Sequence, residues 1–165
     1  MVQAADQRGN WRERVYIRLA LGTGQRPGAV MELKWSQIDK IMDFRPVHPK
    51  AGRMKRRAIV PMNEMVEFAL RLASKHRDGD YVINWNGRKV SHPRGMIKRI
   101  AKEAGIKDVS PHVLRHTVAS LLLEGGEDLL NVSRLLGHAS TLITQQVYFQ
   151  HSPEWLEKTT KLLKF

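Results

Sequence analysis

Apolar residues at Trp11, Val15 and Leu19 recur at helical spacing, and the segment that carries them ends at the glycines at 22 and 24. A second short helix is expected over "RPGAVMELKW", because Pro27 suits a first turn, where its missing N–H has no partner to lose. From Ile38 to Pro61 the pattern changes: "IMDFRPV" and "RRAIVPM" read as strands on either side of the basic turn "HPKAGRMK". Asn63 is placed to cap a helix that runs to about residue 75, with Met65, Phe68, Ala69 and Leu72 as its buried stripe. "DYVINW" reads as a short strand and "NGRKVSHP" as a loop. Helices are expected over 94–104, 111–124, 128–136, 140–149 and 153–163. In the helix from 111, Ser110 is the N-cap, Pro111 the first residue, and Leu114, Val118 and Leu121 the core stripe. The last helix gathers Trp155, Leu156, Thr159, Leu162 and Leu163 on one face, which must be buried against its own domain or a neighbour's. Residues 1–10 read as a flexible lead-in, and no repeat or low-complexity linker appears. The pattern predicts a mainly α (α+β) fold with one small antiparallel sheet or hairpin.

Composition adds a partner. The 165 residues fit one domain, and 28 Lys and Arg against 16 Asp and Glu leave a net charge of +12. Such an excess points to a polyanion, nucleic acid before a membrane surface, although a basic surface can also serve solubility alone. There is no cysteine, which removes disulfides, thiolate zinc sites and thiol catalysis. Apolar runs such as Leu121 to Leu123 fall far short of the roughly 20 residues of a membrane span. Asp6, Arg8 and Glu13 interrupt any N-terminal apolar stretch of the kind a secretory signal needs. The location expected is the cytoplasm of a bacterium, in association with the nucleoid.

Chemistry concentrates in "SPHVLRHTVAS", residues 110 to 120. His112, Arg115 and His116 stand at i, i+3 and i+4 on the arc opposite the core stripe, near the positive end of the helix dipole. That makes an anion site, or else a solvated polar face. Zinc would need a Glu directly after the first His of the metalloprotease pattern; Val113 stands there, and Arg115 between the ligands would repel a dication. Three further stretches carry candidate groups. "TGQRPGAV" holds Arg26 at a helix start, "RMKRRAIVP" holds Lys55 near the turn, and "LLGHASTLITQQVYFQH" holds His138 after Gly137 and then Tyr148.

Taken in order, Arg26, Lys55, His112-x-x-Arg115, Gly137-His138 and Tyr148 resemble the catalytic domain of the tyrosine recombinase or phage integrase family. "TGQRPGAVMELKW", "KRRAIVPM", "HVLRHT" and "LGHASTLITQQVY" carry the resemblance over nearly the whole chain, and "HSPEWL" resembles integrases of prophages and mobile islands. The resemblance implies Arg26 and Arg115 as phosphate-binding arginines, with His112 and His138 beside them. Lys55 would be the general acid and Tyr148 the nucleophile. It implies cleavage and rejoining of double-stranded DNA at recombination sites through a 3′-phosphotyrosyl bond, without metal or other cofactor. Partners implied are a homo-tetramer on DNA, a monomer when free, and accessory DNA-bending or directionality proteins. The chain is then one catalytic domain, 1–165, a piece that lacks the family's N-terminal core-binding domain. Two departures stand out. Ala29 occupies a place where the family often has an acidic residue, with Glu32 one turn on; and Lys50 shares the basic turn with Lys55, which is preferred because it opens the second strand six residues before Pro61.

The chemistry holds together without the family. Two guanidiniums can neutralise the charge that builds on phosphate oxygens, a role metals fill elsewhere. A phenol with an ordinary pKa of about 10 needs neighbouring cations and a base, and the leaving 5′-oxygen needs an acid. His116 is left a supporting structural role. Two rival readings share the charge. One is a non-enzymatic regulator using "GEDLLNVSRLLGHASTLITQQVY" as a helix-turn-helix-like element; the other is a type IB topoisomerase-like DNA-relaxing enzyme.

Overall fold

The computed structural model describes residues 1–45 and 58–138. Its helices are α1 (Val2–Gln7), α2 (Trp11–Thr23), α3 (Pro27–Met31), α4 (Glu64–Ser74), α5 (Arg94–Glu103), α6 (Pro111–Glu124) and α7 (Leu129–Leu136). Strands β1 (Ile41–Asp43) and β2 (Ile59–Pro61) pair antiparallel, as do β3 (Asn84–Trp85) and β4 (Arg88–Lys89). The mainly helical fold expected from the periodicity is the one observed, with the strands in two small sheets instead of one.

α2 is the axis of the domain. Asn10 caps it, its side chain accepting from the backbone N–H groups of Arg12 and Glu13. Val15 to Ala20 are buried without a break, so α2 is enclosed on all sides instead of showing one stripe. α4 packs along it, and α1, α3, α5 and α6 complete the enclosure. α2 also runs one residue past Gly22, which therefore does not end it. A Cβ at Gly22 would meet Val66 Cγ2 at 2.9 Å, so this glycine lets α4 lie close against α2. Asn63 adds a bond across that contact, Nδ2 donating to the Gly22 carbonyl at 2.8 Å.

Three expectations need correction. Residues 1–10 are not a loose lead-in: Ala4 and Ala5 of α1 are buried, small enough to let that helix lie close against its neighbours. Asp6 fixes it, accepting from Arg14 Nε at 2.8 Å and Arg18 Nη2 at 2.7 Å. The Arg18 bond is the main force holding the Asp6 carboxyl below the usual carboxylate range, against its partial burial. Next to it, both oxygens of buried Glu13 are taken, by Arg8 Nε at 2.7 Å and Arg99 Nε at 2.6 Å, which links α1, α2 and α5. Second, the stripe of α4 is Val66, Ala69, Leu70 and Ala73, with Met65 and Phe68 exposed. The Phe68 ring instead lies under the Arg18 guanidinium, 4.6 Å from its centroid, a cation–π contact that suits a half-wet aromatic. Third, the inward face of α6 is Leu114, Arg115, Val118, Ala119 and Leu123, whereas Leu121 is exposed. An arginine occupies a core position, and that placement makes the site.

Met42 and Val60 face each other across β1 and β2 and point inward, leaving Ile41 and Ile59 outward as a two-residue period requires. The basic turn between these strands, with Lys50 and Lys55, lies outside the described residues. The expected loop after "DYVINW" is in fact the second hairpin. Asn86 and Gly87 have φ of 49° and 72°, the left-handed pair that suits a two-residue turn. No helix among the described residues is long and apolar enough to cross a membrane.

Candidate active site

The site forms where the C-terminal end of α2 meets α6 and the end of α7. α2 stops at Gly24, whose φ of 62° a side chain would resist. Space enforces the same choice, since a Cβ there would meet Leu136 Cδ2 at 2.8 Å and Val118 Cγ1 at 3.0 Å. Gly24→Ala is therefore expected to cost about 2–4 kcal/mol, read as a lower urea midpoint with unchanged slope. The residues that follow are tied to both helices. Buried Gln25 donates through Nε2 to the Leu135 carbonyl at 2.6 Å, fixing the end of α7. Arg26, the N-cap residue of α3, donates through Nη1 to the Gly137 carbonyl at 3.1 Å.

Arg115 approaches the same turn from α6. Its Nη1 donates to the Gly24 carbonyl at 3.0 Å, and the residue is only 7% exposed. Among the described residues its buried Nη2 has no hydrogen-bond partner, and no carboxylate pairs with it. Burial, and secondarily the charge of Arg26, pull the Arg115 guanidinium down to about 10. Two cations thus share a pocket, one of them buried with an unused donor. An anion with several oxygens fits that arrangement; an apolar ligand does not.

His138 follows Gly137, which ends α7 in the left-handed region at φ 66°. The imidazole is pulled down to about 4, first by burial, then by the charges of Arg115, Arg26 and His116. It is therefore neutral near pH 7. In the unfolded chain it would titrate near 6.5, so its contribution to stability is fully present above that pH and is lost as pH falls toward about 4. In an NMR titration His138 should be the histidine that protonates late on acidification, and Arg115→Ala should move its midpoint upward. A midpoint left unmoved by that substitution would show that the two side chains do not face each other.

Of the residues singled out in the sequence, Arg26, Arg115 and His138 converge here, with His116 close enough to act on His138. His112 lies one turn before Arg115, exposed at the start of α6, with Ser110 capping below it. Among the described residues no group of three His, Asp or Glu could hold a metal ion. Buried Ala29 carries no acid, and Glu32 accepts from Lys89 Nζ at 3.3 Å. Lys55 and Tyr148 lie outside the described residues. Gln25 was missed: a glutamine between glycine and arginine carries no pattern that announces its reach to α7.

These features define a mainly helical domain whose pocket is built from two arginines and a neutral histidine. The chain belongs to the phage integrase family, whose model matches residues 1–154. It is 33% identical over 145 residues to the tyrosine recombinase XerD of Corynebacterium glutamicum, covering 81% of this chain and 47% of that one. The crystal structure of XerA recombinase superposes with a TM-score of 0.77 at 31% identity, covering 99% of this chain and 60% of that one. The Tn1549 transposon integrase in complex with circular intermediate DNA shares the fold, with a TM-score of 0.75 at 20% identity over 92% of this chain and 60% of that one. The chain thus spans about half the length of the curated relative and three fifths of the solved one.

Proposed function

We propose that this chain is the catalytic domain of a site-specific DNA recombinase, cutting and rejoining strands for integration or excision of a prophage or mobile element. The observation that carries this is the buried Arg115 guanidinium, its Nη2 unpartnered, beside Arg26. A scissile phosphate would accept from both, and its charge would relieve their repulsion. A merely DNA-binding regulator needs no arginine buried as Arg115 is, since exposed cations bind phosphates at lower cost.

The reaction runs as an in-line exchange of esters. The Tyr148 phenol oxygen attacks phosphorus, the P–O5′ bond breaks, and the protein is joined to the 3′ side of the break. Arg26 and Arg115 hold the non-bridging oxygens as charge grows on them. His138, weakly basic beside two guanidiniums, serves as a neutral donor to a phosphate oxygen. His112, one turn from Arg115, is then the histidine left to accept the phenol proton. Lys55, or Lys50 five residues before it, protonates the departing 5′-oxygen. The ester's energy is kept in the phosphotyrosyl bond, so attack by a 5′-hydroxyl of another strand completes the exchange without ATP. Working partners are double-stranded recombination sites, a tetramer on DNA, and accessory bending proteins.

Nicked DNA that loses its short cleaved end should trap the protein covalently, seen as a mass-shifted band on a denaturing gel. Trapping should persist in EDTA, because the arginines supply the charge that metals supply elsewhere. Loss on chelation, restored by magnesium or zinc, would instead bring back a metal-dependent reading of His112 and His116.

A further inference from the structure

Away from the anion pocket, the N-terminal end of α2 borders a cleft of about 500 Å³, lined by Arg12, Trp85, Arg88, Lys89, His92 and Arg99. Its acidic member, Glu13, is taken up by Arg8 and by Arg99 of the same lining, so neither of its oxygens reaches Arg12 or Arg88. Arg88 is exposed, with no acidic partner among the described residues. Trp85 is 61% exposed, an unusual state for an indole. Its orientation is nevertheless fixed. The Arg12 guanidinium lies 4.6 Å from the Trp85 centroid and 4.6 Å from that of Trp11, and its Nε donates to the Asn84 carbonyl at 2.6 Å. Trp11 in turn stacks on His76, centroids 4.8 Å apart and planes within 8°. The indole is the outer end of a four-member stack and presents a flat apolar surface beside Arg12 and Arg88.

The position of the cleft relates it to the first site. Lys89 on its wall meets Glu32, which ends α3, and Arg26 begins that helix. Six residues of helix rise about 9 Å, so with side-chain lengths the cleft lies roughly 10–20 Å from Arg26. Along one DNA strand that is about three to six phosphates.

We propose that this cleft binds a nucleotide unit of the DNA strand flanking the scissile phosphate, its phosphate on Arg88 and Arg12 and its ring or sugar against Trp85. The identity of the polyanion rests on the recombinase reading above; the flat plane and the cations themselves do not. A strand can present that unit in two ways, from an intact duplex or from nucleotides unpaired while strands exchange. An indole among cations serves both, with base stacking available only to the second.

The test measures binding of a short oligodeoxythymidylate and of a duplex lacking any cleavage site to the chain, to Trp85→Ala and to Arg88→Ala, with poly-glutamate as a competing polyanion. Circular dichroism checks that both variants fold, as exposed positions should permit. Trp85→Ala is expected to weaken oligodeoxythymidylate binding about 5- to 150-fold, and Arg88→Ala to lower the salt slope by about one. Loss on the single strand alone identifies unpaired nucleotides as the source, and loss on both substrates identifies the duplex flank. Unaltered affinity and salt slope in both variants overturn the proposal. So does poly-glutamate binding with equal Trp85 dependence, which would make this an acidic-peptide site. Trp85-dependent oligonucleotide binding without any covalent trapping by the unaltered chain would sink the recombinase reading and leave the cleft standing.

Discussion

Tyr148→Phe is expected to bind duplex DNA as the unaltered chain does and to form no covalent complex on nicked DNA. The substitution removes one oxygen, the atom proposed to bond to phosphorus, so the loss should be complete and not graded. The rest of the molecule supports the choice by elimination, because the chain holds only three tyrosines. Tyr16 lies in the core of α2, fully buried, its hydroxyl without a partner. Burial pushes its phenol far above the ordinary range, the opposite of what a nucleophile needs. Tyr81 pairs with Lys34 in an isolated bridge, and the Lys34 ammonium stands 5.2 Å from its ring centroid. Neither residue enters the pocket of Arg26 and Arg115. Peptide mapping of the trapped complex is the direct measurement, and an adduct on Tyr16 or Tyr81 that survives Tyr148→Phe would overturn the assignment.

The residues that meet in the pocket were legible in the sequence; the reason they meet was not. Cap and turn chemistry reads locally, so Asn63, Ser110, Pro27 and Gly24 announced the boundaries the structure shows. Arg26 and His138 could be named because each sits at a helix end, where backbone geometry and side-chain chemistry are written together. Burial is a property of the assembled fold, and there the pattern misled. Arg115 reads as polar, which places it on the outer arc of α6, yet it is buried and Leu121 is exposed. Helical periodicity cannot separate an arginine that faces water from one driven inward with a carbonyl for one nitrogen and nothing for the next. The α4 stripe slipped for a related reason, since Phe68 satisfies its ring with Arg18 rather than with the core. Asn86-Gly87 is the opposite case, a local hairpin signal that the sequence does carry.

Loss of the acid that protonates the leaving group should slow cleavage by about 10²–10⁴-fold, and Lys55→Ala is the variant expected to show it. The effect can be separated from damage to the phosphate site by changing the leaving atom. Sulfur at the bridging 5′ position departs as a thiolate, which hardly requires a proton because a thiol's pKa lies near 8.5. Lys55→Ala should therefore recover on a 5′-thio substrate. Arg26→Ala and Arg115→Ala should stay defective on it, since their bonds go to the non-bridging oxygens, which the sulfur leaves unchanged. Lys50→Ala is the decisive companion, five residues earlier in the sequence. Rescue of Lys50→Ala without rescue of Lys55→Ala would move the acid to Lys50. Rescue of neither would assign the proton to a histidine or to water, and His138, held down to about 4 by burial and then by its cationic neighbours, is in its resting state neutral and has no spare proton to give as an imidazolium. His112 would then be the side chain to test next on the same pair of substrates, with single-turnover cleavage rates as the readout.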